Sequence, residues 1–324
     1  MAITLAQAKL NTQDDYDTTV IDEFRKDSPL LDALPFQQAV NPAGGGATLD
    51  FSYRRLVTQA TAETRAIGEE YSKQNVTTEK ITGTLAEIGG AYEIDRRIAH
   101  LGAAATDEIA LQTAQKIKAA RAKFNDEVIN GDVGVDANGF DGLDKALTGS
   151  STELTGGKDW TAFTDAASYL AVLDDLDELQ SELDGPGSLL IANKAVLAKI
   201  RAAARRANMY TKSPVDGLTT PAGAPLTREM VGDLVLVEAG TKAGSNDPVI
   251  PVDSGEGTTD IYIVRLGLDG FHGMTTAGGN IVRTKLPDFS TAGAVKTGEV
   301  YLENVGVALK ATKAAAVLRG VKVR

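Results

Sequence analysis

Cysteine is absent from this chain, so neither a disulfide framework nor a thiolate-held metal is available to it. That fits synthesis in a reducing cytoplasm. Aromatic residues make up only 5% of a sequence that is 43% apolar. Its apolar content is mostly Ala, Val, Leu and Ile, which suits thin layers better than one thick core. No stretch approaches the roughly 18 consecutive apolar residues of a membrane-spanning helix, and Met1-Ala2-Ile3-Thr4-Leu5 lacks the basic start of a secretory signal. A membrane is therefore not an expected partner. Positive charge is also in deficit: 33 Lys and Arg face 44 Asp and Glu, a net charge of −11, and such a surface repels phosphate and anionic lipid. This argues against a sequence-reading DNA-binding protein. Histidine occurs twice, as His100 and His272, and neither has a metal-ligand partner at helical spacing. No Gly-x-Ser-x-Gly elbow is present. Gly44-Gly45-Gly46 is not followed by Gly-Lys-Ser/Thr and reads as a hinge rather than a phosphate loop. No catalytic residue, cofactor or metal ligand is expected.

What the chain does possess is one long, well-marked helix from Thr106 to Gly131. Thr106 is placed to cap it, Asp107 and Glu108 suit the positive end of its dipole, and Asn130-Gly131 is a stop signal. Ala110, Ala114, Ile117, Phe124 and Val128 form an apolar stripe that must be covered. The glycine-rich turn that follows, Asn138-Gly139-Phe140-Asp141-Gly142-Leu143, is a poor cover, as is the polar region upstream. The cover is expected from distant C-terminal strands, from other copies of the chain, or from both.

The first forty residues read as an arm, with a helical segment Asp14 to Lys26 presenting Tyr16, Val20, Ile21 and Phe24 along one side. Next, Leu49, Phe51 and Tyr53 alternate with Asp50, Ser52 and Arg54, a period-two strand. A second strand pattern runs from Asn75 to Ile88, after a charged stretch containing Glu63, Arg65, Glu69 and Glu70. Together they predict a long hairpin, and an isolated two-stranded ribbon is marginal in water. Support from other molecules follows as an expectation.

The second half is α/β in pattern, and no internal repeat is evident. A helix is predicted from Trp160 to Leu183 with Phe163, Ala167, Leu170, Leu173, Leu176 and Leu179 inward, then a buried strand Ser188 to Ala192, and a helix from Lys194 to Ala207 capped by Asn193. A loop with Pro214, Pro221 and Pro225 leads to strands at 234–237, 261–266 and 281–285, and finally at 299–310 and 316–323. Asp132, Asp136, Asn138 and Asp141 have part of a calcium-loop spacing without its full ligand ladder or terminal Glu, and read as a solvated turn. Asp174, Asp175, Asp177 and Glu178 read as the wet face of their helix. Lys194, Lys199, Arg201, Arg205, Arg206 and Lys212 form the one basic cluster, read as ion pairing within or between subunits, with Asp174 and Asp175 as ready partners. A nucleic-acid patch is the alternative.

The order of parts resembles the major capsid proteins of tailed double-stranded DNA bacteriophages, the Hong Kong 97-type α+β capsid fold shared with encapsulins. The turn Gly139-Phe140-Asp141-Gly142-Leu143 and the ending Val300-Tyr301-Leu302-Glu303-Asn304-Val305-Gly306-Val307-Ala308-Leu309-Lys310 carry it locally. The resemblance implies an N-terminal arm at 1–46 and an extended hairpin (E-loop) at 47–88. It further implies a peripheral domain at 89–142 plus 292–324, with its spine helix at 106–131, and an axial α/β domain at 143–291. It implies a non-enzymatic subunit assembling with itself into pentamers and hexamers of an icosahedral shell, located in the virion and made in the host bacterial cytoplasm. Implied partners are non-specifically packaged double-stranded DNA, a portal, possible decoration proteins and a separate scaffolding protein, since the arm starts at Met1. Expected intersubunit contacts are Phe51, Tyr53, Arg54, Arg65, Glu69 and Glu70 on the hairpin and Tyr16 and Phe24 on the arm. Some relatives cross-link a hairpin lysine to an asparagine, for which Lys73 or Lys80 with Asn304 would be the candidates. An encapsulin-like compartment subunit and a soluble α/β enzyme are the rival readings.

Overall fold

The computed structural model describes residues 30, 33–38, 50–99, 108–219, 225–276 and 281–324. Tyr16, Phe24, His100, Thr106 and Gly44-Gly45-Gly46 lie outside them. In chain order the elements are β1 (Phe36–Gln38), β2 (Asp50–Leu56), β3 (Thr78–Thr84), β4 (Ala86–Asp95) and α1 (Arg96–Ala99). Then come α2 (Glu108–Asn130), α3 (Leu143–Leu147), β5 (Glu153–Thr155), α4 (Ala166–Ser181), β6 (Leu189–Ala192) and α5 (Lys194–Arg206). The remainder is β7 (Tyr210–Thr219), β8 (Pro225–Val231), β9 (Leu234–Glu238), β10 (Thr258–Val264), β11 (Phe271–Thr275), β12 (Val282–Lys285), β13 (Val295–Leu309) and β14 (Ala315–Lys322).

Helix α2 spans the predicted segment, and its C-terminal half is the buried part. Ala120, Ala122, Phe124, Val128 and Ile129 are enclosed, whereas Ala110 and Ala114 of the predicted stripe are exposed. The covered end packs on a five-stranded sheet in which β13 is central. β13 pairs antiparallel with β4 on one side and with β11 and β12 on the other, and β1 extends β11 in parallel. Phe36 and Phe140 flank Phe124, with ring centroids 6.2 and 6.0 Å away. Gly131 ends the helix where no other residue fits: a Cβ there would lie 2.3 Å from the Phe140 carbonyl oxygen and 2.4 Å from that of Glu127. Gly142 is equally crowded and donates its N–H to the Gly131 carbonyl at 2.8 Å, so the Gly-Phe-Asp-Gly turn is folded flat against the helix end.

The second sheet has seven strands in the order β5-β14-β10-β6-β9-β8-β7. Helices α4 and α5 cover one face with Val172, Leu176, Leu179, Val196, Leu197 and Ile200 against Leu190, Ile261, Ile263 and Leu318. The other face joins the core under α2 through Ile191, Tyr262, Val264 and Val317. Every residue of β6 is consequently buried, giving the unbroken apolar run of a strand covered on both sides.

The sheets do not follow the expected spans strand by strand: β14, at the end of the span 292–324, hydrogen-bonds to β10 and β5 in the seven-stranded sheet. Conversely, β11 and β12 fall inside the 143–291 span yet pair with β13. Helix α4 begins at Ala166, not Trp160, because Asp165 caps it in a reciprocal box with Ser168. Trp160 instead donates its backbone N–H to the Lys322 carbonyl at 2.8 Å and is buried whole. Leu170 and Ala167, expected inward, face outward, and Val172 fills the core in their place. The proline-containing loop is a hairpin, β7–β8: Pro214 is tolerated because β7 is an edge strand, and Pro225 is the first residue of β8.

Candidate functional site

The hairpin is the feature that the chain's own core does not explain. β2 and β3 pair from Asp50–Thr84 to Leu56–Thr78, and Val57 N–H continues the ladder to the Thr77 carbonyl at 2.9 Å. Side-chain pairs Ser52–Thr82 and Thr58–Thr77 support it at 3.2 and 3.1 Å. Beyond, the tip is held by polar contacts within itself: Glu63 accepts from Ser72, lowering the Glu63 carboxyl, and Arg65 donates to the Glu69 carbonyl at 2.7 Å while lying 5.4 Å over the Tyr71 ring. Leu56, Val57, Ile67, Tyr71 and Val76 are all exposed.

The period-two pattern divides the hairpin root between two faces. Phe51, Tyr53 and Arg55 turn toward the chain's own five-stranded sheet, and Phe51 and Tyr53 pack against Leu85, Met274 and Ala308. The Tyr53 hydroxyl donates to the Leu309 carbonyl at 2.8 Å, and burial pushes that phenol up from its ordinary value. Arg55 donates to the carbonyls of Leu309 and Lys310 at 2.7 and 3.0 Å. Lys310 closes the junction, its Nζ 5.8 Å over the Phe51 ring and 2.8 Å from Gln37 Oε1 of β1. Of the hairpin residues named from sequence, Phe51 and Tyr53 thus face their own subunit, whereas Arg54, Arg65, Glu69 and Glu70 are exposed. Arg55 and Lys310 were missed; the odd-numbered alternation that includes Phe51 and Tyr53 would have found Arg55.

Within this chain the basic cluster and the acidic helix pair with other groups. Arg201 pairs with Glu229 of β8 at 2.5 Å, and Lys194 with Glu238 of β9 at 3.3 Å. Arg205 donates to the Arg201 carbonyl at 3.2 Å, and Arg206 lies 5.0 Å over the Phe163 ring, which Lys199 approaches at 5.5 Å. Asp175 accepts from Trp160 Nε1 and from Lys158, both at 2.8 Å, and Asp174 is exposed. Lys158 also reaches Glu178 at 2.8 Å, and these two carboxylates hold its ammonium well above the ordinary lysine value.

In the turn after α2, the carboxylates serve the backbone. Asp132 accepts from Gly134 N–H, Asp136 from Asn138 N–H and Asp141 from Val133 N–H, at 2.8, 3.1 and 3.0 Å. Among the described residues no group of three or more acidic or histidine side chains is arranged to hold a metal. Lys73 lies in the hairpin tip and Lys80 on β3, opposite Arg54. Asn304 adopts φ 41° at the irregularity in β13 and donates to Thr276 at 3.0 Å.

One cluster escaped the sequence entirely. Arg319 of β14 donates to Glu153 at 2.8 Å, to Asp260 at 3.0 Å, to Thr148 at 3.1 Å and, closer still, to Asp144. Tyr262 donates to Asp144 at 2.9 Å. The guanidinium joins α3, β5, β10 and β14, and its partners lie up to 175 residues away in sequence. No local spacing announces it.

No protein-family model matches the sequence, and no curated protein matches it. Solved structures do match. The chain is similar to one in the holo-SrpI encapsulin complex from Synechococcus elongatus PCC 7942, with TM-score 0.63 and 16% identity, covering 100% of this chain and 97% of that one. It is similar to the capsid of a native GTA particle, with TM-score 0.62 and 14% identity over 98% and 99% of the two chains. It is also similar to a chain from Mycobacterium phage Adephagia, with TM-score 0.62 and 13% identity over 100% and 99%. Matching end to end, the chain is an α+β protein built on the plan of capsid and encapsulin subunits. Its fold is the Hong Kong 97-type capsid fold.

Proposed function

We propose that this chain is a structural subunit, not an enzyme, that assembles with itself into the icosahedral shell enclosing the double-stranded DNA genome of a tailed bacteriophage. The carrying observation is the hairpin: a ribbon anchored at its root, with Leu56, Val57, Ile67, Tyr71 and Val76 exposed and contacts at its tip only to itself among the described residues. Such a ribbon gains cover by lying over a neighbour, and repeated heterologous contacts of this kind generate closed shells. The arm at 1–46 and hairpin at 47–88 are the reaching parts in this reading. The α2 layer with the five-stranded sheet forms the periphery, and the seven-stranded sheet with α4 and α5 gathers around pentamer and hexamer axes. Arg54, Arg65, Glu69 and Glu70, with Tyr16 and Phe24 of the arm, are its intersubunit contacts. Virion location, synthesis in the bacterial cytoplasm, a separate scaffolding protein, a portal and non-specific contact with packaged DNA follow from the same reading. Among the described residues no helix is long and apolar enough to cross a membrane.

The likeness to an encapsulin over nearly the full length of both chains supports a second reading, a cargo compartment subunit. Negative-stain microscopy with light scattering on the purified chain separates them. Tubes, mixed particles or scaffold-dependent shells support the capsid; small uniform shells enclosing protein support the compartment. A monodisperse dimer under all conditions overturns both.

A further inference from the structure

His272 is a buried titratable group that shell formation, as argued above, does not use. It lies in β11 directly opposite Ala308 of β13. Opposite residues of an antiparallel pair project from one face, and alternation puts Met274 and Lys310 on that face as well. This is the face covered by the hairpin root, where Met274, Ala308 and Leu85 meet Phe51 and Tyr53. The imidazole is 0% exposed, and neither Nδ1 nor Nε2 makes a hydrogen bond of ordinary geometry among the described residues, although the backbone at Gly270 favours a proton on the ring. A neutral ring tolerates such a place, but a charged one without a partner does not.

We infer that His272 is an acid-operated latch for the hairpin: the neutral ring lets the root seat on the sheet, and the protonated ring drives the root off it. The root is the part that gives way because its attachment is slight. It is held by the Tyr53 and Arg55 bonds to two carbonyls, by Thr84 Oγ1 to the Gly139 carbonyl at 3.2 Å, by Lys310 over the Phe51 ring and by a small apolar cluster, whereas β11 is hydrogen-bonded to β1 and β13 on both edges. Lifting the root lets water reach the ring and leaves the sheet intact.

The charges facing the site favour this direction. Lys310 repels an imidazolium, and Asp269 in the turn before β11 attracts one, as does the backbone at Gly270. Arg55, from the root itself, adds a second positive charge at the Lys310 carbonyl, and the adjoining cavity of about 520 Å³ is lined by Asp141 and Lys145, one of each sign. Burial is the largest influence and, with Lys310, holds the seated ring below its ordinary 6.5. A ring freed to water regains that value, so acidification below about 6.5 favours the open root by at most about tenfold per pH unit, levelling once pH falls through the seated value. At pH 5 the ceiling is about 30-fold. The latch is a property of one chain and stands or falls independently of shell building.

Hydrogen–deuterium exchange on the full chain tests it, with rates corrected for intrinsic pH dependence and peptides covering 50–56 and 78–84 compared with peptides of α2. Between pH 7.5 and 5.0 the hairpin peptides should lose several-fold to about 30-fold in protection while α2 does not. In His272→Met this selective loss should disappear. Because the chain has only two histidines, a His100→Asn variant leaves one imidazole to titrate by carbon-13 NMR, which supplies a second reading should His272→Met misfold. A midpoint below 6.5 is expected. Unchanged protection at pH 5, the same loss in His272→Met, or a midpoint at the ordinary value would each overturn the latch.

Discussion

Replacing Arg319 by Met should destabilise this protein most at neutral pH, and acid should repair it. In the native chain one guanidinium answers Asp144, Glu153 and Asp260, whose side chains are 42%, 17% and 30% exposed. Met keeps most of the side-chain volume, so the loss is electrostatic rather than a cavity. Breaking a fully buried pair costs about 3–5 kcal/mol because the stranded charge has no partner. Partial solvent access here lowers that, and we expect about 2–4 kcal/mol at pH 7. In the native protein the Glu153 carboxyl is held below its ordinary value, first by the Gly149 N–H and then by Arg319. Its contribution is therefore present above the unfolded value, about 4.5, and fades as pH falls through the folded one. In Arg319→Met the sign reverses: the Glu153 carboxylate loses its cation beside two other carboxylates, its affinity for protons rises, and protonation relieves the crowding. Urea unfolding monitored at the Trp160 fluorescence, at pH 7 and pH 5, measures this. The deficit of the variant should shrink by at least about 1 kcal/mol at pH 5. A deficit below about 1 kcal/mol at pH 7, or one that does not change with pH, would refute the reasoning.

Phe124→Ala should cost about 3–5 kcal/mol in chemical unfolding, because the ring is fully buried between Phe36 and Phe140. Gly142→Ala places a Cβ 2.5 Å from the Glu127 carbonyl oxygen, and a loss of soluble, cooperatively unfolding protein is expected on a melting curve. Asn193→Ala should cost about 1–2 kcal/mol in urea unfolding, since the side chain caps α5 and also bonds Thr259 at 2.6 Å. Replacing residues 59–76 by a short turn should leave the circular dichroism and melting temperature nearly unchanged while abolishing particles by light scattering. Particles that survive this deletion would count against the hairpin as the reaching element.

The parts legible from sequence are those whose signals are local. The Asn193 cap, the Asn130-Gly131 stop and the alternation at Phe51 and Tyr53 each depend on neighbours within a turn or two, and the structure has a helix start, a helix end and a strand there. β11 was missed because all five of its residues are buried, so Phe271-His272-Gly273-Met274-Thr275 shows no alternation to read. The β7–β8 hairpin was hidden by prolines that only an edge strand accommodates. Ala110 and Ala114 continued the apolar period of α2 into a half that is only partly covered and where those two positions are exposed, since helical periodicity identifies a face and not the length over which it is covered. The Arg319 junction and the Tyr53–Arg55–Lys310 root are long-range in sequence, and their polar residues look solvated until the sheets bring them together.

The placing of β13 and β14 has a consequence for synthesis. One is the spine of the five-stranded sheet, and the other lies inside the seven-stranded one between β10 and β5. A ribosome that has made only the first 290 residues therefore holds a chain in which β4 lacks its partner and β10 has a bare edge. Neither layer can close until β13 and β14 have emerged, so on the assembly reading proposed above a shorter nascent chain has no finished platform on which a sibling could dock.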